Sequence, residues 1–179
     1  MNTKPVPTGG KLQTGDVILR PIKATDAELL RRWRGRDDVR IWFGDTGKVD
    51  TAAQQAWMTR YLAKKDDAMF IIGLERNGNK LPVGAVAIYD INQVAGTAEY
   101  GRVMIGEDVA RGKAVAERAS SLLCNWALGD LGLKRIVLWV IKENQRAIDL
   151  YERLGFVTSE PSKERHGYQF MTLEKSSNG

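Results

Sequence analysis

Apolar and polar residues alternate with a period of two in several short stretches, which is typical of β-strands with one buried face. Asp16–Ile22 shows this pattern and closes at Pro21. Three further strands are predicted over Ala68–Glu75, Leu81–Tyr89 and Thr97–Ile105. The first two of these flank Asn77-Gly78, a pair that favours a tight hairpin turn.

Apolar residues at spacings of three and four predict four helices in the remaining sequence. The first begins at Thr25, where Glu28 completes a capping box, and it ends at Gly35. The second follows Asp50 or Thr51. The third and fourth are expected over Lys113 to about Gly129 and over Asn144–Leu154.

The last elements complete one domain around a single sheet. Lys134–Ile141 is a continuous apolar strand, as expected when helices cover both faces. Phe156-Val157 and Tyr168–Leu173 supply two final strands. The order βααβββαβαββ predicts a mixed α/β domain over residues 16–173. Residues 1–15 and 174–179 lack periodicity and are predicted to be flexible tails.

Composition excludes several classes of protein. With one cysteine, Cys124, and one histidine, His166, the chain can form neither an internal disulfide nor a structural zinc site. A Ser-His-Asp or Cys-His mechanism would depend on His166 alone. No apolar run is long enough to span a membrane, and the N-terminus lacks the apolar stretch of a signal peptide. We therefore expect a cytoplasmic protein.

The net charge of +5 raises the question of a nucleic-acid partner. Acidic residues interleave with the basic ones, even within the densest basic stretch, Arg31–Arg40. This stretch is either a solvated helix face or an anion-binding wall for phosphorylated ligands. Charge alone does not choose between them.

A candidate phosphate site lies between the fourth predicted strand and the third predicted helix. Arg111-Gly112-Lys113 precedes a helix that begins with small residues, Ala114 and Ala116. Free N–H groups and the positive end of the helix dipole favour an anion there. Gly112 permits a tight turn, and Arg111 and Lys113 add mobile positive charge. An ordinary strand-to-helix turn is the alternative.

The fourth predicted helix carries a tyrosine on its apolar face. Ala147, Leu150 and Leu154 share that face with Tyr151, whose hydroxyl needs a partner. Either a backbone carbonyl satisfies the hydroxyl, or the phenol donates a proton to a leaving group.

Taken together, the Arg111–Ala116 loop and the Asn144–Phe156 helix resemble the GNAT superfamily of acetyl-CoA-dependent N-acetyltransferases. The resemblance implies a single-domain α/β fold with a largely antiparallel central sheet flanked by helices. Glu99–Gly106 and the Trp33-Arg34 and Val39-Arg40 segments look most like the branch of ribosomal-protein-alanine and amino-sugar acetyltransferases. Ala114 departs from the family, which usually has glycine there, and its methyl group is expected to weaken cofactor binding.

The resemblance also implies roles for individual residues. Backbone N–H groups would hold the pyrophosphate of acetyl-CoA, in the loop formed by Arg111, Gly112, Lys113, Ala114, Val115 and Ala116. The pantetheine arm would pair with the strand edge at Val103, Met104 and Ile105, and would bond to Asn144. Tyr151 would protonate the departing thiolate. Glu99 is the candidate base, the alternative being a solvated strand residue. No metal is implied.

Other residues are ranked lower. His166 is interpreted as a surface or substrate-rim residue, and Cys124 as a small buried hydrophobe. The aromatic residues near the N-terminus are interpreted as core, namely Trp33, Trp42, Phe43 and Trp57. Trp42 and Phe43 could instead line the acceptor pocket, because they precede Gly44–Lys48, in the region that sets substrate choice in the resembling family.

The sequence thus predicts an enzyme that moves acetyl from acetyl-CoA to a primary amine by direct attack. The favoured acceptor is a small amino sugar, free or linked to a nucleotide, and a protein N-terminus is the alternative. A CoA-binding module without activity is a second alternative, and Ala114 is the reason to consider it. We expect neither nucleic acid nor a membrane as partner, and a homodimer stays open.

Overall fold

The computed structural model describes residues 4–43, 47 and 49–176, and eight strands and five α-helices lie among them. The strands are β1 (Leu12–Thr14), β2 (Val17–Pro21), β3 (Ala68–Arg76), β4 (Asn79–Asn92), β5 (Thr97–Ile105), β6 (Arg135–Ile141), β7 (Val157–Thr158) and β8 (Tyr168–Glu174). The α-helices are α1 (Ala27–Arg34), α2 (Asp37–Arg40), α3 (Thr51–Ala63), α4 (Val115–Leu128) and α5 (Gln145–Arg153). Short 3-10 turns occupy Ala24–Asp26 and Asp108–Ala110.

All eight of these strands form one sheet in the order β1-β2-β3-β4-β5-β6-β8-β7. Every neighbouring pair is antiparallel except β5 and β6, which run parallel. The mixed α/β fold with a largely antiparallel sheet is confirmed. The predicted hairpin is also present, since Asn77 and Gly78 both have positive φ, 50° and 76°, as a two-residue turn of this type requires.

The parallel strands β5 and β6 pair over a short distance and then separate. Their register ends with Glu99 opposite Val137. Beyond that point the rest of β5 pairs with β4, and the rest of β6 pairs with β8. A wedge therefore opens in the middle of the sheet, with free strand edges on both sides.

An irregularity in β5 lies at the start of this wedge. The register between β4 and β5 shifts between Ala85 and Ala87, and Arg102 has a φ of +53°. This left-handed backbone conformation is uncommon for residues other than glycine. At Arg102 it turns the strand as a β-bulge does. The bulge sets which face the following residues of β5 occupy.

Each face of the sheet has its own hydrophobic cluster. On one face α4 and α5 pack against the strands through residues such as Leu123, Tyr100 and Ile136. On the other face α1 and α3 pack through Trp33 and Tyr61. This second cluster draws its strand residues from β3, β4 and β5, so the helices α1 and α3 cover only part of that face.

The structure therefore corrects the interpretation of β6 as a strand covered on both faces. Ile136, Leu138 and Val140 are buried in the cluster with α4 and α5. Val137 and Trp139 are only half-buried. The physical reason is that α1 and α3 lie over the other half of the sheet.

The start of α1 also differs from the prediction. Thr25 is exposed within the preceding 3-10 turn, and Glu28 pairs with Arg31 at 2.7 Å. Asp26 is the N-cap residue of α1 but makes no side-chain capping bond to that helix. Its carboxylate instead accepts a hydrogen bond from the Lys23 backbone N–H at 2.7 Å and so caps the 3-10 turn. Asp26 is buried and also binds the Arg20 guanidinium through both oxygens, at 2.8 Å each. This ion pair places Asp26 at the helix start instead of Thr25.

Strand β1 lies in a segment predicted to be a tail. Leu12 to Thr14 pairs with Leu19 to Val17 at the edge of the sheet. Three residues, of which two are polar, are too short a stretch to show alternation, so only the backbone pairing with β2 identifies them.

Candidate active site

The loop before α4 takes the left-handed conformation twice. Gly112 has a φ of +69° and Ala114 a φ of +52°. Within α4 the first backbone bond joins the Arg118 N–H to the Ala114 carbonyl at 3.0 Å. The N–H groups of Val115 to Glu117 therefore have no partner inside the helix and point out of its N-terminus, where an anion is favoured.

Ala114 is the N-cap residue of α4 and has no side-chain capping bond. Left-handed backbone costs a residue with a Cβ roughly 1–2 kcal/mol relative to right-handed backbone. Glycine would take this conformation without that cost. The backbone conformation at Ala114 thus favours glycine, which is the residue that the sequence comparison with the resembling family leads us to expect there.

Arg111 does not carry a mobile charge, contrary to the expectation from sequence. Its guanidinium pairs with Asp38 and, at 3.0 Å, with Asp108. Arg36 binds the same two carboxylates, at 3.1 Å and 2.9 Å. Hydrogen bonds from Arg36 and then Arg111 lower the pKa of Asp38 to about 2. The pairs tie the loop to α2, and Lys113 remains exposed.

Trp33 determines the position of the chain just before this loop. It is buried, as predicted, and its indole lies so close to Gly106 that a Cβ there would sit 2.0 Å from the indole Cδ1. The indole N–H donates a hydrogen bond to Glu107 at 2.8 Å. The core of the α1 side therefore holds the beginning of the candidate cofactor loop.

The strand edge that was predicted to pair with the pantetheine arm lies in the wedge. Val103 and Ile105 pack on the cluster with α4 and α5, whereas Met104 is buried in the cluster with α1 and α3. Because β5 and β6 have separated at this point, the β6-facing backbone of these residues is an open edge to which an extended chain can add.

Asn144 lies at the end of this wedge, between β6 and α5. Its side-chain oxygen accepts a hydrogen bond from the Ala147 N–H at 3.2 Å and caps α5. The amide NH₂ group of Asn144 is left as a donor. The residue thus has a structural role in addition to the predicted ligand contact.

Tyr151 lies on the buried face of α5, as predicted. Its ring packs edge-on against Tyr100, with centroids 5.9 Å apart, and against Phe156 at the same distance. Burial raises the pKa of Tyr151 to about 12, so the phenol keeps its proton at neutral pH. Its hydroxyl forms no hydrogen bond with any residue that the structure describes.

Glu99 is half-buried and accepts a hydrogen bond from the Tyr89 hydroxyl at 2.7 Å. Its neighbours Ala98 and Tyr100 belong to the cluster with α4 and α5, so Glu99 projects from the opposite face. Glu99 and Tyr151 therefore lie on opposite faces of the sheet, next to the point where β5 and β6 separate.

Residues around Glu99 that the sequence analysis did not single out form a linked set. Arg102 stacks on the Tyr89 ring, with its guanidinium carbon 4.2 Å from the centroid. The same guanidinium binds both oxygens of buried Asp67, at 2.8 Å and 2.9 Å. Burial and the nearby Glu99 carboxylate raise the pKa of Tyr89. No sequence motif marks these residues, because the positive φ of Arg102 brings them together.

The aromatic residues near the predicted acceptor pocket separate into two groups. Trp42 is 42% exposed, so its interpretation as core is wrong, because the short helix α2 leaves it at the surface. Phe43 is half-buried beneath the Arg34 guanidinium, 4.0 Å from its centroid. The segment Gly44–Lys48 lies outside the described residues except for Gly47.

Two lower-ranked residues have the predicted environment. Cys124 is buried, and burial raises the pKa of its thiol to about 12. His166 is exposed in the turn before β8.

A groove of about 670 Å³ runs along the outer side of α4 toward the end of β8. Polar side chains that line it are paired, Glu117 with Arg153 at 3.0 Å and Arg118 with Asp16. The groove contains neither Glu99 nor Tyr151. It is distinct from the wedge.

No cluster of three or more His, Cys, Asp or Glu side chains among the described residues is arranged to hold a metal ion. No helix in the same part of the chain is long and apolar enough to cross a membrane.

Comparison with known proteins identifies a family model. Residues 16–157 match the model described as "Acetyltransferase (GNAT) domain". An uncharacterized protein of Methanocaldococcus jannaschii is 27% identical over 149 residues, which are 83% of this chain and 29% of that protein. Spermidine N(1)-acetyltransferase of Escherichia coli is 28% identical over 141 residues, 78% of this chain and 72% of the enzyme.

Solved structures share the fold. Spermidine N-acetyltransferase from Vibrio cholerae, in complex with CoA and spermine, superposes with a TM-score of 0.77 at 19% identity, covering 90% of this chain and 97% of that one. A nucleotide-linked sugar GNAT, FdhC, gives the same TM-score at 20% identity, covering 92% and 90%. At these identities the comparison establishes the architecture. The relatives found by sequence include spermidine N(1)-acetyltransferases, and they do not support the branch suggested by the resemblance.

Proposed function

The chain belongs to the GNAT acetyltransferase domain family, and from that premise we propose that it transfers acetyl from acetyl-CoA to a primary amine of a small molecule. The observation that carries the proposal is the wedge between β5 and β6, with Glu99 on one face and Tyr151 on the other. Family membership makes the chain an N-acetyltransferase. The acceptor and the residue roles are proposals.

The residues of the loop and the wedge fit acetyl-CoA. The outward-pointing N–H groups at the start of α4 can donate hydrogen bonds to a pyrophosphate, which is an anion. The open backbone edge at Val103–Ile105 suits an amide-containing arm, which bonds like an added strand. Asn144 offers an amide donor on the opposite, β6 side of the wedge.

Acetyl-CoA supplies a thioester whose carbonyl carbon accepts the amine: the C–N bond forms and the C–S bond breaks. In the proposed mechanism Glu99 takes the proton that the amine loses, directly or through a water molecule. Tyr151 donates its phenolic proton to the departing sulfur. With a pKa of about 12 the phenol is protonated when the sulfur leaves. Backbone N–H groups of β5 stabilise the developing oxyanion.

The proposed acceptor is an amino sugar, free or nucleotide-linked. Two guanidinium groups lie on the α1 and α3 side of the sheet with Glu99, Arg34 over Phe43 and Arg102 over Tyr89, and Arg102 is already paired with Asp67. The hydroxyl groups of a sugar can accept hydrogen bonds from guanidinium N–H groups without requiring an unpaired charge.

A polyamine is the second candidate, because a relative 28% identical is named spermidine N(1)-acetyltransferase. Such a substrate carries several positive charges and needs carboxylates around it. One buried carboxylate near Glu99, Asp67, is already neutralised by Arg102 at 2.8 Å. This pairing makes a polyamine the less favoured of the two acceptors.

Release of free thiol from acetyl-CoA tests the proposal, with glucosamine, a uridine-diphosphate-linked amino sugar, spermidine and an alanine-initiated peptide as acceptors. We expect turnover with the sugars and loss of it in Tyr151→Phe. Preference for spermidine would identify a polyamine as the acceptor in place of the sugar, and preference for the peptide would identify a protein N-terminus as the acceptor. Acetyl-CoA binding with no turnover across the panel would identify a CoA-binding module.

A further inference from the structure

The strands β6 and β8 present a half-buried aromatic surface on the face of the sheet that carries Glu99. We define the aromatic face as Val137, Trp139, Tyr168 and Phe170. We infer that it is a binding wall for a planar group of the acceptor, namely the base of a nucleotide-linked amino sugar. This inference rests on the proposed function and names the substrate class of the same site.

Register places the aromatic face beside the reaction centre. Val137 is the partner of Glu99, and parallel partners project from the same face of a sheet. Trp139 follows two residues later, roughly 7 Å further along the strand on the same face. At that position β5 has already turned away, so Trp139 borders the wedge.

The rings of this face are organised across the two strands. Trp139 is paired with Phe170, and their ring centroids are 4.8 Å apart with an interplanar angle of 52°. Tyr168 precedes Phe170 by two positions, so it projects from the same face. All three rings are half-buried.

No helix explains the apolar character of this surface. The cluster that α1 and α3 form on this side draws its strand residues from β3, β4 and β5. Trp139 and Phe170 belong to neither core cluster of the described residues. Apolar rings left beside a reaction centre are typical of ligand sites, which combine aromatic walls with a few polar groups.

Charge indicates which planar group would bind. The Arg165 guanidinium lies over the Tyr168 ring, 4.1 Å from its centroid, at the outer end of the aromatic face. A ligand that stacks on Trp139 would therefore meet a cation at its edge. A nucleobase attached to phosphates has this combination of a flat π-system and negative charge.

Binding is measured first, without catalysis. Uridine diphosphate is titrated into the full chain by calorimetry and by tryptophan fluorescence. Removing one stacking partner of a base weakens binding by roughly tenfold or more. We expect this loss in Trp139→Ala and most of the affinity back in Trp139→Phe, which keeps a ring. Val94→Ala is the control, because Val94 is 97% exposed in the turn before β5.

A second variant covers the case in which Trp139→Ala fails to fold. Arg165→Gln removes an exposed cation without opening the core. It is expected to weaken uridine diphosphate binding severalfold at low salt and to leave uridine binding unchanged. Equal binding of uridine diphosphate by wild type and Arg165→Gln would overturn the inference, as would no binding at all.

Turnover and assembly separate the remaining outcomes. Free-thiol release is expected to show a KM for the linked amino sugar at least tenfold below that for glucosamine, and Trp139→Ala is expected to abolish the difference. Turnover of free amines without any effect of Trp139 would refute the aromatic face while the proposed function stands. Trp139-dependent nucleotide binding without turnover would refute the function and keep the binding site. A change of oligomeric state in Trp139→Phe by sedimentation would identify the face as a subunit interface and refute it as a ligand wall.

Discussion

The Tyr89 hydroxyl donates a 2.7 Å hydrogen bond to the Glu99 carboxylate, across two strands whose registers place the two residues opposite each other. The guanidinium of Arg102 lies against the same phenol ring at 4.2 Å. Gly101 permits this arrangement, because a Cβ there would lie 2.9 Å from the Tyr89 oxygen. Tyr89 therefore fixes the direction in which Glu99 presents its second oxygen.

Tyr89→Phe is expected to lower kcat/KM severalfold, because the Glu99 carboxylate loses the hydrogen-bond donor that orients it. The measurement is the initial rate of free-thiol release over a range of amine concentrations. In a Glu99→Gln background the same substitution should have little further effect, and an undiminished effect there would separate Tyr89 from Glu99.

Tyr151→Phe is expected to reduce kcat by about 10² or more, the usual contribution of a general acid. Acetyl-CoA affinity, measured by calorimetry with desulfo-CoA, should stay nearly unchanged, because the ring packing against Tyr100 and Phe156 survives. Ionisation of Tyr151 is expected to cause no decrease in the wild-type kcat at pH values below about 10, since the pKa of Tyr151 lies near 12. A large drop in affinity with unchanged kcat would contradict the role as acid.

Ala114→Gly is expected to tighten acetyl-CoA binding and to raise the free energy of unfolding by up to about 1 kcal/mol. Glycine removes the left-handed strain, worth roughly 1–2 kcal/mol, but costs about 0.5–1 kcal/mol of backbone entropy. Urea denaturation and calorimetry measure the two effects. As the matched control, Ala56→Gly within α3 should destabilise by about 1 kcal/mol. Equal destabilisation by both substitutions would refute the strain at Ala114.

Gly106→Ala is expected to lower the free energy of unfolding by about 1–3 kcal/mol or more, as overpacking does, because the added carbon would meet the Trp33 indole at 2.0 Å. It should also weaken acetyl-CoA binding by moving the start of the loop. Gly73→Ala is the control, since its nearest neighbour, the Leu81 carbonyl, would be at an ordinary 3.7 Å. Unchanged stability and affinity in Gly106→Ala would show that the indole moves aside.

Stability is expected to fall as the pH rises from about 10 to about 12. Burial raises the pKa of both Tyr61 and Tyr151 to about 12, while an unfolded tyrosine ionises near 10. Over that window the folded state holds more protons than the unfolded state, so each group lowers the free energy of unfolding by about 1.4 kcal/mol per pH unit. Below about pH 10 their contribution is fully present. Urea denaturation at pH 8, 10 and 11 measures the slope.

Tyr151→Phe provides the control for this alkaline loss, because it removes one of the four tyrosines whose pKa burial raises, Tyr61, Tyr89, Tyr100 and Tyr151, and should therefore make the slope shallower. An identical slope in the variant would show that other groups cause the loss. A wild-type free energy of unfolding that does not change between pH 9 and pH 11 would contradict the burial of these ionisable hydroxyls.

Local pattern was sufficient for most of the elements. Short apolar stretches located β3, β4 and β5, and Asn77-Gly78 located the hairpin between β3 and β4, because strand composition and turn chemistry depend on neighbours in sequence. The end of α5 before Gly155, with a φ of +91°, is local in the same sense. The burial of Tyr151 followed from helical spacing alone.

Contacts between residues far apart in sequence were decided only in the folded chain. Alternation does not reveal where β5 and β6 separate, since this depends on a positive φ at Arg102 and on pairing with β8. Likewise, Arg111 looked like a free cation until Asp38, 73 positions earlier, was placed against it. The same reason explains Trp139, which reads as core in an apolar run and is half-buried because α1 and α3 cover the other strands. Periodicity specifies which residues share a face, and the tertiary packing specifies what, if anything, covers that face.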